Sequence, residues 1–304
     1  MLFNNQMRSI LNLAAAGVAV SCACSCGSGT SEDNKDNAAD TASAVKQEDQ
    51  QKTKNIFYSM PSPVELGQIM KMAGATYDKK YLNSTENASK YSSAFSKSVN
   101  LGVYVADLSY STIFSQTQET ILYLNCAKKM ADGLGIMGAF SSETIKRMES
   151  NSNSQDSLID IISSSYLNSN EYLKENQRSN TATLAIMGGW IEGLYIGTQV
   201  AKATKNNAAI ITRIAELKGS LNNLIAMLDD QSGDENISSV LNELKEIKKI
   251  YDETPAGQSK PEVSVNEKTN VITIGGASKH TLNNDQFEKV TQKIETLRAS
   301  ITKI

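Results

Sequence analysis

The chain has 304 residues, 40% of them hydrophobic and 21% charged, which is enough to bury one sizeable core. Its net charge of −3 argues against a nucleic-acid partner, because lysine and arginine are interspersed with acidic residues rather than clustered. A folded domain of this chain has almost no ligands for a metal site. The single histidine is His280, and three of the four cysteines crowd together at Cys22, Cys24 and Cys26. We expect no metal and no cofactor, and we expect Cys126 to be a buried apolar residue.

Residues 1–21 have the pattern of a secretory lipoprotein signal peptide. Their only charge precedes an apolar run that is too short to span a membrane. Small residues stand before Cys22, so we expect this cysteine to carry a diacylglycerol and an amide-linked acyl chain such as palmitate, which together give stable attachment. Cys24 and Cys26 also follow small residues and stay open as alternatives, as does an ordinary cleaved signal.

Residues 22–54 are predicted to form a lipidated, disordered tether. The segment is polar and mixed in charge, and it contains no aromatic residue, leucine, isoleucine or methionine to offset the entropy of ordering. None of its three cysteines is followed by the aspartate that often retains bacterial lipoproteins in the inner membrane. We therefore expect anchorage in the outer membrane, with the folded domain facing the periplasm or the cell surface.

Residues 55–253 carry apolar residues every three or four positions, the pattern of a helical bundle. Caps, glycines and this period predict helices at about 63–73, 86–113, 116–134, around Ile145 and Met148, 158–173, 184–201, 210–228 and 237–251. The last two have the stripe of an antiparallel helical hairpin. The fold class that follows is mainly α, an irregular multi-helix bundle with a small β-hairpin near the C-terminus.

Residues 184–201 are predicted to be the central buried helix of this bundle. Small residues return there at every fourth position, at Ala185, Gly189, Gly193, Gly197 and Ala201. A similar row in the helix at 86–113 predicts that the two helices pack closely. The apolar run could also suggest a transmembrane span, but Glu192 and Gln199 within it favour a core helix.

Residues 254–304 are predicted to hold the β-hairpin and a final amphipathic helix. Alternating apolar residues at Val263 and Val265 and again from Val271 to Ile274 indicate two short strands. The helix after them has a narrow apolar seam, whose partner is either internal or another chain.

Three stretches carry a resemblance to a group of uncharacterised helical lipoproteins of Bacteroidota. They are NLGVYVADLSY at 100–110, YLKENQRSN at 172–180 and GGWIEGLYIGTQ at 188–199. The resemblance covers roughly residues 56–230 and implies an envelope location and a helical body. The group has no catalytic residues that could be transferred to this chain.

Asp107 and Glu192 are the candidate site residues, since each lies mid-helix in an apolar context and the two helices are expected to touch. If both face one cavity, they could bind a cation or share a proton in acid/base work. The aromatic residues expected around that cavity are Tyr104, Tyr110, Trp190 and Tyr195. The alternative is that each carboxylate is satisfied locally, by a tyrosine hydroxyl, a backbone amide or a basic residue such as Arg178.

The sequence contains no P-loop, dinucleotide fingerprint or nucleophile elbow, so we expect a protein that is not an enzyme. The leading hypothesis is an outer-membrane lipoprotein, held by its N-terminal diacylglycerol, that acts in protein interaction or envelope assembly with an unidentified partner. The alternative is a protein that binds a small molecule or metal ion between the Asp107 and Glu192 helices. A hydrolase of envelope polymers would require the two carboxylates to flank an open cleft.

Overall fold

The computed structural model describes residues 63–139, 142–151, 153–253 and 281–304, and the backbone of 262–266 and 271–275. The predicted signal peptide and tether lie outside these residues, and so do Cys22, Cys24, Cys26 and His280.

The described part of the chain is mainly helical, as the apolar period predicts. Its α-helices are α1 (Pro63–Met72), α2 (Ala94–Ile113), α3 (Thr117–Gly133), α4 (Ser142–Ser150), α5 (Gln155–Glu175), α6 (Ser179–Ala203), α7 (Ala208–Glu216), α8 (Lys218–Asp229), α9 (Glu235–Asp252) and α10 (Asn284–Ile301). Short 3₁₀ turns occur at Lys79–Tyr81, Thr85–Ser89 and Met137–Ala139. None of the helices in the described ranges is both long and apolar enough to cross a membrane.

Two short backbone segments are extended before the last helix. Strand β1 (Glu262–Asn266) lies antiparallel to β2 (Val271–Gly275), with Val263 opposite Ile274. Their side chains and the residues around them lie outside what the structure describes. The β-hairpin of the fold-class prediction therefore stays a prediction.

Helices α2 and α6 lie at the centre of the core with their backbones in direct contact. A Cβ atom on Gly102 would lie 1.8 Å from the carbonyl oxygen of Ala185, and one on Gly188 would lie 2.0 Å from that of Val99. Only glycine leaves room for this approach, because any other side chain would overlap the facing backbone. The predicted contact of the two helices is confirmed, although Gly188, which is outside the predicted row, makes the second close approach.

Two predicted helix boundaries are wrong. Helix α2 begins at Ala94 rather than near residue 86, because the Ser93 side chain accepts a hydrogen bond from the Ser96 amide and caps the helix there. The predicted helix at 210–228 is divided at Leu217 into α7 and α8. The Ser220 hydroxyl donates to the Leu217 carbonyl at 2.8 Å, and Gly219 beside it has low helix propensity.

The last helix, α10, packs within its own chain. It begins with a capping box, in which Asn283 and Gln286 each accept a hydrogen bond from the other's backbone amide. Its predicted apolar seam is buried, namely Phe287, Val290, Ile294, Leu297 and Ile301. Of the two partners left open by the sequence, the structure therefore shows the internal one, and the seam meets the body formed by α2, α6 and α9.

Candidate functional site

The two predicted carboxyl groups meet where α2 and α6 cross. Asp107 and Glu192 are both 0% exposed, and they lie close enough together that the charge of Glu192 raises the pKa of Asp107. The close approach of the helices at Gly102 and Gly188 makes this meeting possible. Two ionised carboxylates repel each other in a buried site, so this arrangement favours protonation of one of them.

Arg298 of α10 compensates the charge of Glu192. Its Nε and Nη2 atoms donate to the two Glu192 oxygens at 2.9 and 3.0 Å, the two-pronged geometry that makes arginine–carboxylate pairs strong. Its guanidinium carbon also lies 4.6 Å from the ring centre of Tyr195. Burial opposes the charge of the guanidinium, but the charge and hydrogen bonds of Glu192 outweigh it and raise the pKa of Arg298.

Asp107 is the carboxyl group whose pKa favours the protonated form. Burial first, and then the nearby charge of Glu192, raise its pKa well above the ordinary value of 3.8. Its Oδ2 accepts a hydrogen bond from the Asn83 backbone amide at 3.2 Å, whereas Oδ1 has no hydrogen-bond partner. A proton on Asp107 removes the repulsion between two buried negative charges, so the arrangement is a neutral acid beside an ion pair.

The end of α10 is fastened to the same region by a second polar cluster. The Asn100 side-chain amide donates to the Ile301 carbonyl at 3.0 Å, and the Tyr91 hydroxyl donates to the Thr302 carbonyl at 3.1 Å. The Asn83 side-chain amide donates to Tyr91 at 3.0 Å and to Asn100 at 3.3 Å. These bonds satisfy carbonyl groups that a helix end leaves without partners.

The predicted aromatic residues do not form one cavity around the carboxyl pair. Tyr195 joins the pair through Arg298, but the Trp190 indole N–H donates to Ser220 of α8 at 2.9 Å. Trp190 and Glu192 are two positions apart on a helix and therefore point to different sides. Tyr104 is fully buried and donates through its hydroxyl to a loop carbonyl at 2.9 Å.

Tyr110 and Arg178 each have other partners in the structure. The Tyr110 ring stacks on Tyr77 with 5.3 Å between ring centres. Arg178 donates to the Leu134 carbonyl at 2.9 Å, so the basic partner named by the sequence was the wrong one.

Arg298 was missed by the sequence analysis, although a signal for it exists. Positions 287, 291, 294, 298 and 301 follow the alternating spacing of four and three that marks one face of a helix. Arg298 therefore falls within the buried face of α10, beside the seam residues that were recognised. A single cation on such a face indicates a buried anionic partner.

The carboxyl pair is closed off from solvent. Both oxygens of Glu192 are already paired with Arg298, whose side chain is 17% exposed. No group of three or more histidine, cysteine, aspartate and glutamate side chains in the described ranges could hold a metal ion. The contacts agree with the alternative in which each carboxyl is satisfied locally, and ligand binding at this pair stays a prediction.

A separate apolar cavity lies beside α2 and α6. It has about 790 Å³ of empty space, counting its open side, and helices α2 to α6 form its wall. Representative lining residues are Leu101, Val105, Leu124, Met148, Ile162 and Ile186. Neither Asp107 nor Glu192 is among the residues of the wall.

Two polar side chains of the wall stand out against its apolar surroundings. Asn170 is only 8% exposed, and its Oδ1 atom has no hydrogen-bond partner. Lys128 is the single charged residue among those lining the cavity, and it lies 3.5 Å from the Glu149 carboxylate. The neighbouring Ser169 hydroxyl is already committed to the Ala139 carbonyl at 2.7 Å, so it is not free for a ligand.

Comparisons with known proteins leave the function to be argued from these residues. The sequence matches no protein-family model, and no curated protein or solved structure matches it significantly.

Proposed function

We propose that the chain is a lipid-anchored protein of the outer membrane, not an enzyme, whose helical domain binds a small apolar molecule in the cavity walled by α2 to α6. The observation that carries this proposal is the cavity itself. It is a partly open space among five helices, and most of the residues that line it are apolar.

The chemistry of the wall supports an apolar ligand. Water gains few hydrogen bonds in such a cavity, whereas an apolar ligand gains about 25 cal/mol for each Å² of surface removed from water. Asn170 supports a ligand with at least one polar group, because a buried acceptor without a donor costs about 1–3 kcal/mol. This combination of an apolar wall and a few polar groups is typical of specific small-molecule sites.

The proposal moves the small-molecule hypothesis away from the carboxyl pair. The sequence placed the ligand between the helices of Asp107 and Glu192, but Arg298 occupies that position. The cavity uses the same two helices at another part of their surface, where α3, α4 and α5 complete the wall.

The envelope location and the finer fold belong to the same proposal. The pattern before Cys22 and the polar segment 22–54 support an N-terminal diacylglycerol and a flexible tether. Within residues 254–304, the proposed β-hairpin precedes α10 in the irregular bundle.

A fluorescent apolar probe tests the cavity. The unlipidated mature chain, residues 22–304, retains the compact unit that holds every described helix, and it needs no detergent. Titration with N-phenyl-1-naphthylamine should give saturable binding. Ala127 lines the cavity, so Ala127→Leu should weaken binding at least about tenfold by excluding the volume of roughly three methylene groups.

The matched control is Ala203→Leu, at an exposed position at the end of α6. It should bind the probe like the original chain, and both variants should keep the unfolding temperature. Absence of saturable binding, or equal binding in Ala127→Leu, would refute the proposed function.

Protein interaction or envelope assembly is the second candidate function. The adjacent apolar residues Ile121 and Leu122 of α3 are 39% and 43% exposed, a feature of some contact surfaces. A photo-crosslinking residue at position 122 should give one discrete product in intact cells. The same residue in place of the exposed Lys249 of α9 should not. Identical products at the two positions would reject this candidate.

A further inference from the structure

The rim of the cavity carries one charge, and this charge indicates the class of ligand. Lys128 is a lining residue whose side chain is 33% exposed, so its ammonium group reaches water while its methylene stem covers apolar surface. An anionic head group beside the ammonium group would leave an attached alkyl chain free to enter the cavity.

The partner that Lys128 has in the structure is a weak competitor for this position. Glu149 is 52% exposed, and its carboxylate oxygen lies 3.5 Å from the lysine nitrogen, a long separation for an ion pair. Exposed pairs of this kind contribute little to stability, because water solvates both partners nearly as well. A ligand carboxylate could therefore replace Glu149 at small cost.

Asn170 is an independent sign of a ligand. Its side chain is more than nine-tenths buried, lines the cavity and has an unpaired oxygen. A side-chain amide can rotate to present either its N–H group or its oxygen, so it can pair with a polar group of several chemical types. The wall offers one charged side chain, Lys128, which matches a ligand with a single small anionic head.

We propose that the cavity takes a single-chain amphiphile with an anionic head, such as a fatty acid, with its alkyl chain among helices α2 to α6 and its carboxylate beside Lys128. This inference rests on the proposed function, since it assumes that the cavity binds an apolar molecule. Lys128 sets the preference for the anionic head, and the apolar wall supplies the affinity for the chain.

Displacement of N-phenyl-1-naphthylamine by dodecanoate and by dodecanol at pH 8 tests the inference. The Lys128→Met variant should weaken dodecanoate about two- to fivefold, the usual contribution of a partly exposed charge pair, and should leave dodecanol unchanged. The matched control is Lys129→Met, which removes the neighbouring exposed lysine and should change neither ligand. Lengthening the dodecanoate chain by two methylenes should strengthen binding about tenfold until the cavity is full.

A second variant keeps the test valid if Lys128→Met lowers the stability of the chain. Glu149→Gln leaves Lys128 in place and removes its competitor, so it should tighten dodecanoate about twofold. If both ligands displace the probe but neither variant changes dodecanoate binding relative to dodecanol, the anionic preference is overturned and the proposed function stands. If the probe itself does not bind saturably, both are overturned.

Discussion

Arg298 binds Glu192 through two hydrogen bonds that join residues 106 positions apart in the chain. Glu192 lies in the middle of the central helix and is 0% exposed, so its charge depends on this one guanidinium. The contact fixes α10 against the α2–α6 centre and closes the core with the last turns of the chain.

Removing the guanidinium should be costly. Arg298→Met should lower the free energy of unfolding by about 3–5 kcal/mol, because it leaves a buried carboxylate without compensation. Arg298→Lys should lower it less, since lysine keeps the charge but loses the second hydrogen bond. Urea unfolding at neutral pH measures both.

The matched control for Arg298 is Lys289→Met on the same helix. Lys289 pairs with Asp285 at an exposed position, where the side chains are 53% and 73% exposed, so the change should stay within about 0.5 kcal/mol. Equal effects of Lys289→Met and Arg298→Met would show that the Glu192 pair has no special weight.

The protonated state of Asp107 predicts a pH dependence of stability. The raised pKa means that the folded chain holds a proton that the unfolded chain releases above pH 3.8, so stability falls as pH rises from there to the folded-state pKa. Asp107→Asn keeps a hydrogen-bond donor toward Glu192 and cannot ionise. Its free energy of unfolding should therefore improve relative to the original chain, by at most about 1.4 kcal/mol per pH unit within this window.

Urea unfolding at several values between pH 5 and pH 8 checks this slope. The exposed carboxylate of Asp285 provides the control, because Asp285→Asn should run parallel to the original chain. Parallel curves for Asp107→Asn as well would show that Asp107 is ionised in the folded protein.

Two glycine substitutions should act in opposite directions. Gly102→Ala places a methyl group against the Ala185 carbonyl and should lower the free energy of unfolding by about 1–3 kcal/mol or more. Gly219, near the start of α8, has no atom within 4 Å of an added Cβ, so Gly219→Ala should raise it by up to about 1 kcal/mol. Thermal unfolding of the two variants side by side distinguishes them, and a Gly102→Ala variant as stable as the original would contradict the close helix contact.

Lipidation should depend on one cysteine. In cells supplied with labelled palmitate, Cys22→Ala should abolish labelling and release the protein from the membrane fraction. Cys24→Ala and Cys26→Ala should remain labelled. Loss of labelling only in Cys24→Ala or only in Cys26→Ala would assign the lipid anchor to that cysteine instead. Labelling of all three variants would contradict lipidation at a single one of these cysteines.

The helices and their central contact could be predicted because they follow from local patterns. The spacing of apolar residues predicted most of the helices. The rows of small residues on two of these helices predicted that Gly102 lies close to α6. The division at Leu217 was missed, since the apolar stripe continues through it and only the Ser220 hydroxyl and Gly219 oppose a continuous helix.

The candidate site depends on relations that the sequence does not show directly. Helical period places Arg298 on a buried face, but its pairing with Glu192 across 106 residues depends on how α10 docks. The cavity was not predicted at all, because Leu124 or Met148 has the same spacing whether it lines a filled core or an open one. Its volume is a property of five packed helices rather than of any one motif.

The location of a bound alkyl chain tests the central claim most directly. Crystals of the mature chain grown with an alkanol that carries bromine at its far end would reveal that end by anomalous scattering. The cavity proposal predicts one bromine site inside the wall of α2 to α6, near Leu124 and Met148. Bromine bound elsewhere on the protein, or nowhere, would contradict it.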